Sequence, residues 1–363
     1  MQTVSMVSFG RHWARRVWLL FQPIIKRLLW FPVVLFFVSV LSFSLMRFHL
    51  SVGPVCVSPQ WCVVPKIELK QPIDPLAELK QNPQISPQAL AKETQRLALD
   101  KPLWVQYGAW LQGVLHGDLG TTVKGESVAW LFWQGAQATL LVNVLALTLA
   151  WLMAVPAGLY SAYWPKHPLA KGMNTLSSCF MSVPSFISAL LMAMLLVQTR
   201  WLPYGGVCSP QFVEASWVVQ GADRLLHALP PALVLAGVAW PSLFQQMQAN
   251  TLRVLQQPYI RMSQSRGVPT LWLLWKHVAR NALNPLVTVL GMEFAGLLSG
   301  ALLTETILNY PGLGMLTFQA AMTGDTNLVM TSLMIACLLL LIGNFLADIA
   351  LLWLDPRLRS SAT

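Results

Sequence analysis

The stretch SVAWLFWQGAQATLLVNVLALTLAWLMAVPAGLYSAYWP, residues 127–165, contains no Asp, Glu, Lys or Arg. A helix needs about 20 predominantly apolar residues to cross the hydrocarbon core of a bilayer, and this stretch is long enough. Five other stretches have the same character, with Glu293 as their single charged residue, and we predict a membrane span in each: residues 28–46, 172–199, 227–252, 281–304 and 326–347. The sequence therefore predicts an all-α integral membrane protein with six transmembrane helices. Pro156 and Pro184 fall inside two of these spans and predict kinks rather than breaks.

The composition excludes an ordinary soluble domain. The chain has 363 residues, of which 55% are hydrophobic and 10% are charged, whereas soluble domains have about 25% charged residues. The net charge of +10 does not indicate nucleic-acid binding, because the cations flank the apolar stretches as orientation determinants do. Lipid is the predicted solvent of the chain.

The positions of Lys and Arg predict the orientation of the chain. Cations in short loops stay in the cytoplasm, and here they lie before the first span, after the second, after the fourth and after the sixth. Both termini are therefore predicted to be cytoplasmic. The predicted organisation is a cytoplasmic or interfacial segment 1–27, a first span 28–49, an external segment 50–134, a transmembrane domain 135–354 with a loop 253–285, and a cytoplasmic tail 355–363.

The external segment 50–134 forms an insertion between the first two spans. Its many prolines predict that its first half is irregular, and the pattern of residues 87–99 predicts a helix. Cys56 and Cys62 lie in this segment, where an oxidising environment would permit a disulfide between them. A metal site is less favoured, because no cluster of histidines accompanies the two thiols.

The loop 253–285 is polar and basic although it lies between two apolar stretches. It contains no Asp or Glu and carries five cations, which are Arg253, Arg261, Arg266, Lys276 and Arg280. Gly267 interrupts it after about two helical turns, and Pro285 is predicted to close it. The pattern predicts a short helix–turn–helix at the cytoplasmic surface. Two interpretations follow, a docking element for a cytoplasmic partner or an ordinary basic loop.

Catalytic and metal-binding motifs are missing from the sequence. It has no G-x-x-x-x-G-K-[ST] phosphate loop, no H-E-x-x-H and no G-x-S-x-G, so no enzyme chemistry and no metal site are predicted. Polar residues inside the spans are the remaining candidates. Glu293, Asn143 and Gln245 either line a translocation path or form structural hydrogen bonds between helices. Glu305 lies near the end of a span and is predicted to be structural, and Pro311–Gly314 is predicted to form a turn.

Several short motifs together resemble one family, the permease subunits of type I ABC importers of the dipeptide, oligopeptide and nickel class. The resemblance runs from about residue 25 to residue 359. The motifs that carry it are LDKPLWVQY (99–107), GDLG (117–120), PSF (184–186), WLP (201–203), PGLG (311–314) and DPR (355–357).

The basic loop resembles the coupling loop of that family, which reads like Y-x-x-x-A-R-A-K-G followed by H and R-N-A. Here Ser263 and Ser265 replace the two alanines, and Gln264 replaces the arginine. The resemblance implies that an ATPase subunit is contacted by Tyr259, Arg261, Ser263, Ser265, Arg266, Gly267, His277, Arg280 and Asn281. Glu293 stands where neutral residues, often Gln, are usual in the family.

The resemblance also implies the partners and the cellular location. We expect a second homologous permease subunit, two cytoplasmic ATPase subunits that hold ATP and magnesium, and an external solute-binding protein, all at a bacterial inner membrane. This chain itself would need no cofactor. Peptides are the expected substrate, although nickel chelates, glutathione and sugars use similar scaffolds. An ion-coupled secondary transporter is the alternative, but inverted repeats would then be expected, and the sequence shows no convincing repeat.

Overall fold

A computed structural model describes residues 29–44, 49–58, 61–70, 94, 101–120, 122, 126–212, 215–323 and 326–354. The predicted segments 1–27 and 355–363 lie outside these residues, and so does the predicted helix 87–99 except for Thr94, which is helical. The described chain divides into two compact units. Of the described residues, those within 29–31, 137–315 and 339–354 belong to one unit, and those within 32–136 and 316–338 belong to the other.

Helices dominate the described residues. They are α1 (Leu29–Ser44), α2 (Leu103–Leu115), α3 (Val128–Tyr163), α4 (Pro168–Ser182), α5 (Ser185–Thr199), α6 (Trp217–Leu255), α7 (Pro258–Ser265), α8 (Thr270–Trp272), a π-helical segment (Leu273–Ala279), α9 (Arg280–Thr288), α10 (Leu290–Ile307), α11 (Leu313–Thr323) and α12 (Thr326–Leu354). A short 3-10 turn, Pro210–Phe212, precedes α6.

The one sheet among the described residues is a hairpin of β1 (His49–Ser58) and β2 (Trp61–Lys70). The prediction that this part of the external segment is irregular was wrong. The strands pair antiparallel, and their register places Pro54 opposite Pro65. Because a two-stranded hairpin consists of edge strands, a missing backbone N–H on each strand is tolerated. The same register places the Cα of Cys56 opposite that of Cys62. The side chains of this hairpin lie outside the described features, so the disulfide stays a prediction.

In the unit that contains residues 32–136, α1 and α2 meet through aromatic and hydroxyl groups. The hydroxyls of Ser39 and Tyr107 lie 2.8 Å apart. The Tyr107 ring also meets the Phe43 ring edge to face, with centroids 5.4 Å apart. A hydroxyl pair within an aromatic contact fixes the rotation of one helix against the other.

In the unit that contains residues 137–315, the core forms along α3 and α6. A stripe of small residues at four-residue spacing on α3 is buried: Ala138, Val142, Ala146, Ala150 and Ala154. Further along the helix, a Cβ built on Gly158 would lie 2.7 Å from the Cβ of Met247. The backbones of α3 and α6 therefore approach closely. Small residues permit such an approach between membrane helices, where packing replaces the hydrophobic effect.

Among the residues that the structure describes, three helices are long and apolar enough to cross a bilayer, namely α3, α6 and the part of α12 from Leu328 to Phe345. A fourth span would be α4 and α5 taken together, but the two helices meet at 101°. The chain is thus a multi-pass helical protein, and the number of six spans stays a prediction.

Proline positions explain where the structure departs from the predicted spans. The kink predicted at Pro184 is a break, because the residue before a proline avoids the helical region and Val183 is extended with φ −96° and ψ 119°. Pro156 leaves α3 continuous. Pro285 does not close the basic loop as predicted but lies inside α9. The predicted span 281–304 is instead divided at Val289, between α9 and α10.

Candidate functional site

The basic loop forms the predicted helix–turn–helix. Helix α7 begins with Pro258, whose missing N–H is harmless in the first turn. It ends at Ser265, and Gly267 then adopts the left-handed conformation with φ +75°. The Gly267 N–H donates to the Gln264 carbonyl at 3.0 Å. A Cβ on Gly267 would meet no atom within 4 Å, so the turn needs glycine for its backbone conformation rather than for space.

Side chains from both halves of the loop hold its base together. Asn281 Nδ2 donates to the Tyr259 hydroxyl at 3.1 Å and to the His277 carbonyl at 2.8 Å. Ile260 and Ala282 are fully buried. Asn250 Nδ2 on α6 donates to the Ala282 carbonyl at 3.3 Å. The base of the loop is therefore hydrogen-bonded to the long helix α6.

The outer surface of the loop is basic. Arg261, Arg266, Lys276 and Arg280 are exposed. The hydroxyls of Ser263 and Ser265 donate to carbonyls of the preceding turn, at 2.8 Å to Tyr259 and 2.9 Å to Met262. Because those two hydroxyls are engaged within α7, the charged side chains provide the loop's donors to a partner. Such a surface can donate hydrogen bonds to carboxylates or carbonyl oxygens of another protein.

A second polar feature lies within the apolar part of α6. Ser242, Gln245 and Gln246, which we name the polar strip, recur at three- and four-residue spacing and lie on one face. Gln245 is exposed, and the other two are partly exposed. The opposite face is buried through Leu243, Phe244 and Met247. A polar face in the middle of a predicted span is unfavourable against lipid and indicates contact with water or protein.

Two neighbouring helices contribute polar groups beside the strip. Ser242 Oγ lies 3.1 Å from Glu293 Oε1 on α10 and 3.0 Å from the Ala239 carbonyl. Gln245 Nε2 lies 3.3 Å from Ser177 Oγ on α4. The structure thus places Glu293 and Gln245, both predicted from sequence, along the same strip. Ser242 and Ser177 were missed, although the 242–245–246 spacing was a readable signal.

Asn143, the third candidate for the path, is fully buried. Its Nδ2 donates to the Thr139 carbonyl at 2.8 Å on its own helix. Its Oδ1 has no hydrogen-bond partner among the described residues. Asn143 therefore does not belong to the exposed polar strip.

Glu305 lies in a buried network at the other end of α10. Its Oε1 accepts from Thr139 Oγ1 at 2.6 Å, and its Oε2 accepts from the backbone N–H groups of Gly314 at 2.7 Å and Met315 at 3.2 Å. The carboxylate therefore caps the N-terminus of α11. A Cβ on Gly312 or Gly314 would overlap the Glu305 carboxylate, which explains both glycines of the P-G-L-G turn. The structural role predicted for Glu305 fits this network.

Cys208 lies in the connection between α5 and α6 that the sequence predicts to be external. A hydrogen bond with Asp223 and burial raise the pKa of the Cys208 thiol. The Asp223 carboxylate also accepts from Ser209, at 2.6 Å from its N–H and 2.9 Å from its hydroxyl. A raised thiol pKa lowers the thiolate fraction at neutral pH, so Cys208 is a poor nucleophile. In the described part of the chain, no group of three or more metal-ligating side chains occurs.

Comparison with known proteins identifies the family. Residues 154–360 match the model for the binding-protein-dependent transport system inner membrane component. The chain is 32% identical over 290 residues to the oligopeptide transport system permease protein AppB of Bacillus subtilis (strain 168), covering 79% of this chain and 90% of AppB. The chain belongs to this family. The dipeptide transport system permease protein DppB of Escherichia coli (strain K12) is 31% identical over 307 residues, with the same coverage of both chains.

Membership confirms the resemblance drawn from the sequence motifs. The chain is the permease subunit of an ABC importer, and thus a multi-pass inner-membrane transport component and not an enzyme. It works as part of a complex with ATPase and binding-protein partners. Among the described residues, the basic loop has an exposed cationic surface and the polar strip has an accessible polar face.

Proposed function

We propose that this permease imports peptides and forms half of the pore, with a second homologous permease subunit as the other half. The relatives named for oligopeptide and dipeptide transport support the substrate class. In this proposal both termini are cytoplasmic, two ATPase subunits hold ATP and magnesium at the cytoplasmic face, and an external binding protein delivers the peptide. This chain supplies no hydrolysis chemistry and no cofactor.

The substrate would pass along the polar strip on α6. Ser242, Gln245 and Gln246 are accessible on the described chain, and Glu293 lies at hydrogen-bond distance from the first of them. Contact of these polar groups with lipid is energetically unfavourable. An amide side chain such as Gln245 both donates and accepts hydrogen bonds, as the peptide bonds of a substrate do. The strip therefore suits a hydrated path for peptides.

The basic loop would transmit the movement of the ATPases. One observation carries this part of the proposal, namely a Gly267 turn that presents exposed cations while its base is joined to α6 and α10. The base contacts α6 through Asn250, and α9 leads directly to α10. A displacement of α7 by an ATPase would therefore reach both helices that carry the polar strip and Glu293.

Substitutions at Gly267 test the coupling role. A left-handed residue other than glycine costs about 1–2 kcal/mol, and a β-branched side chain tolerates that conformation least, whereas Asn adopts it readily. We expect Gly267→Val to reduce peptide-dependent transport and ATP hydrolysis strongly, and Gly267→Asn to keep most of both. The measurement is uptake and ATPase activity of the complete transporter in proteoliposomes, at matched amounts of permease. Wild-type coupling in the Val variant would contradict the assignment.

A further inference from the structure

We infer that Glu293 recognises a cationic group of the transported peptide, so that the permease favours substrates with an ammonium or guanidinium group near the strip. This inference rests on the proposed function and adds the charge class of the substrate. It starts from the observation that one carboxylate lies beside an otherwise neutral row of polar side chains on α6.

The Glu293 carboxylate is only partly engaged by the protein. It is partly exposed, and the described residues give it a single hydrogen bond, from Ser242 Oγ to Oε1 at 3.1 Å. Its neighbours on the accessible side of α10 are Met292, which is 73% exposed, and Gly296, beside which a Cβ would meet nothing within 4 Å. An oxygen of the carboxylate is therefore available to a ligand approaching along that side.

No cation of the described residues neutralises this carboxylate. The predicted spans 172–199, 227–252 and 281–304 contain no Lys or Arg. Within the described part of the chain, Glu293 forms no ion pair with a basic side chain. A carboxylate at membrane depth needs a donor, a cavity or a counter-charge. The one Ser242 hydroxyl is a weak substitute for a counter-charge, so a cation from outside the chain is the natural complement.

The chemistry of the neighbouring groups matches a peptide better than a metal ion. Gln245 and Gln246 offer amide donors and acceptors to a peptide backbone, and the partly exposed Ser242 adds a hydroxyl. In the part of the chain that the structure describes, Glu293 belongs to no group of three or more His, Cys, Asp or Glu side chains that could hold a metal ion. A single carboxylate among neutral donors and acceptors fits one ammonium or guanidinium on an otherwise neutral chain.

The test measures charge preference rather than total transport. Proteoliposomes with the complete transporter receive tripeptides of equal length, Ala-Lys-Ala, Ala-Ala-Ala and Ala-Glu-Ala, at equal concentration. We expect the wild type to take up the Lys peptide preferentially. Glu293→Gln should lower the ratio of Lys-peptide to Ala-peptide uptake by about tenfold, the scale of one charge-assisted hydrogen bond. Glu293→Asp should keep most of the preference.

A relocated charge supplies the matched control. Gln246 lies one helical turn from Ser242 on the same face, so the double variant Glu293→Gln with Gln246→Glu returns a carboxylate to the strip. We expect it to recover part of the preference. Recovery of the preference would exclude a merely structural role of Glu293, because a restored hydrogen bond with Ser242 could recover assembly but would not by itself favour the Lys peptide over the Ala peptide.

Two results would overturn the inference while leaving peptide import intact. The first is an equal fall in uptake of all three peptides by Glu293→Gln. The second is a loss of the second permease subunit on purification of that variant, with unchanged preference in the fraction that assembles; Glu293 would then pair with a cation of that subunit. Failure of the wild type to import any of the peptides, with ATPase coupling intact, would instead refute the proposed substrate class.

Discussion

The two ends of helix α10 each carry one glutamate, and the two carboxylates differ in burial and in the number of hydrogen bonds that they accept. Glu305 is fully buried and receives three hydrogen bonds from Thr139, Gly314 and Met315. Glu293 is partly exposed and receives one, from Ser242. Both are single acidic residues in or beside apolar stretches, and the sequence separated them only by position, with Glu293 inside a predicted span and Glu305 near its end.

The difference shows that a buried carboxylate has a structural role when donors of the protein saturate its oxygens. The acceptors of Glu305 are saturated by a hydroxyl and by the first N–H groups of α11, which would otherwise lack partners at the start of a helix. Its removal would leave these donors buried and unsatisfied. The acceptors of Glu293 are not saturated by the described residues, so its charge stays available for an interaction outside the chain.

The largest expected effect is that of Glu305→Leu. Loss of the carboxylate leaves the N–H groups of Gly314 and Met315 without an acceptor, and each buried unsatisfied donor costs about 1–3 kcal/mol. We expect the free energy of unfolding to fall by about 3 kcal/mol or more, with little monodisperse protein recovered in detergent. Glu293→Leu is the matched control and should lower it by less than about 1 kcal/mol. Equal loss in both variants would remove the distinction between the two carboxylates.

Two glycines near the two carboxylates are expected to differ, by a smaller amount, in how replacement by alanine changes the stability of the protein. A Cβ on Gly314 would overlap the Leu302 backbone and the Glu305 carboxylate. We therefore expect Gly314→Ala to destabilise the protein by about 1–3 kcal/mol. A Cβ on Gly296 would meet nothing, and Gly296→Ala should stabilise α10 by up to about 1 kcal/mol. Thermal unfolding midpoints in detergent measure both. A destabilised Gly296→Ala variant would show that the accessible side of α10 is tightly packed in the isolated subunit.

The smallest expected effect concerns the hydroxyls that donate to the two carboxylates. Thr139 Oγ1 donates to Glu305 and also accepts from the Leu313 N–H at 2.8 Å, so Thr139→Val should cost about 1–2 kcal/mol. Ser242→Ala should change stability by less than about 0.5 kcal/mol, because a partly exposed pair contributes little. Double-mutant cycles with Glu305→Gln and Glu293→Gln separate the pairs. A stronger coupling for Ser242 with Glu293 than for Thr139 with Glu305 would reverse the assignment of roles.

The basic loop was the part of the candidate site that could be predicted most completely. Its cations, its lack of acidic residues and Gly267 predicted a helix–turn–helix, and the structure forms α7 and a left-handed Gly267. These features depend on residues close together in the chain, where glycine conformation and cation placement act locally. The contact of Asn281 with Tyr259 could not be predicted in the same way, since it joins the two sides of the turn.

Prolines show where local rules were insufficient. Pro156, Pro184 and Pro285 all lie in or beside predicted spans, yet the first and the third lie inside continuous helices while Pro184 separates two. Each proline removes one backbone donor and disfavours a helical residue before it. Whether the helix continues depends on the packing that surrounds it, and a sequence pattern does not contain that packing.

The sequence by itself determined the solvent, the helical class and the family of this protein, because hydropathy, charge placement and short motifs depend on residue type and spacing along the chain. Only the tertiary structure showed which donors saturate the Glu305 carboxylate and placed Glu293 beside Ser242 of the polar strip. Those arrangements join α3, α6, α10 and α11 across long separations in sequence. A carboxylate becomes structural or available according to the donors that folding brings to it, and those donors come from other helices.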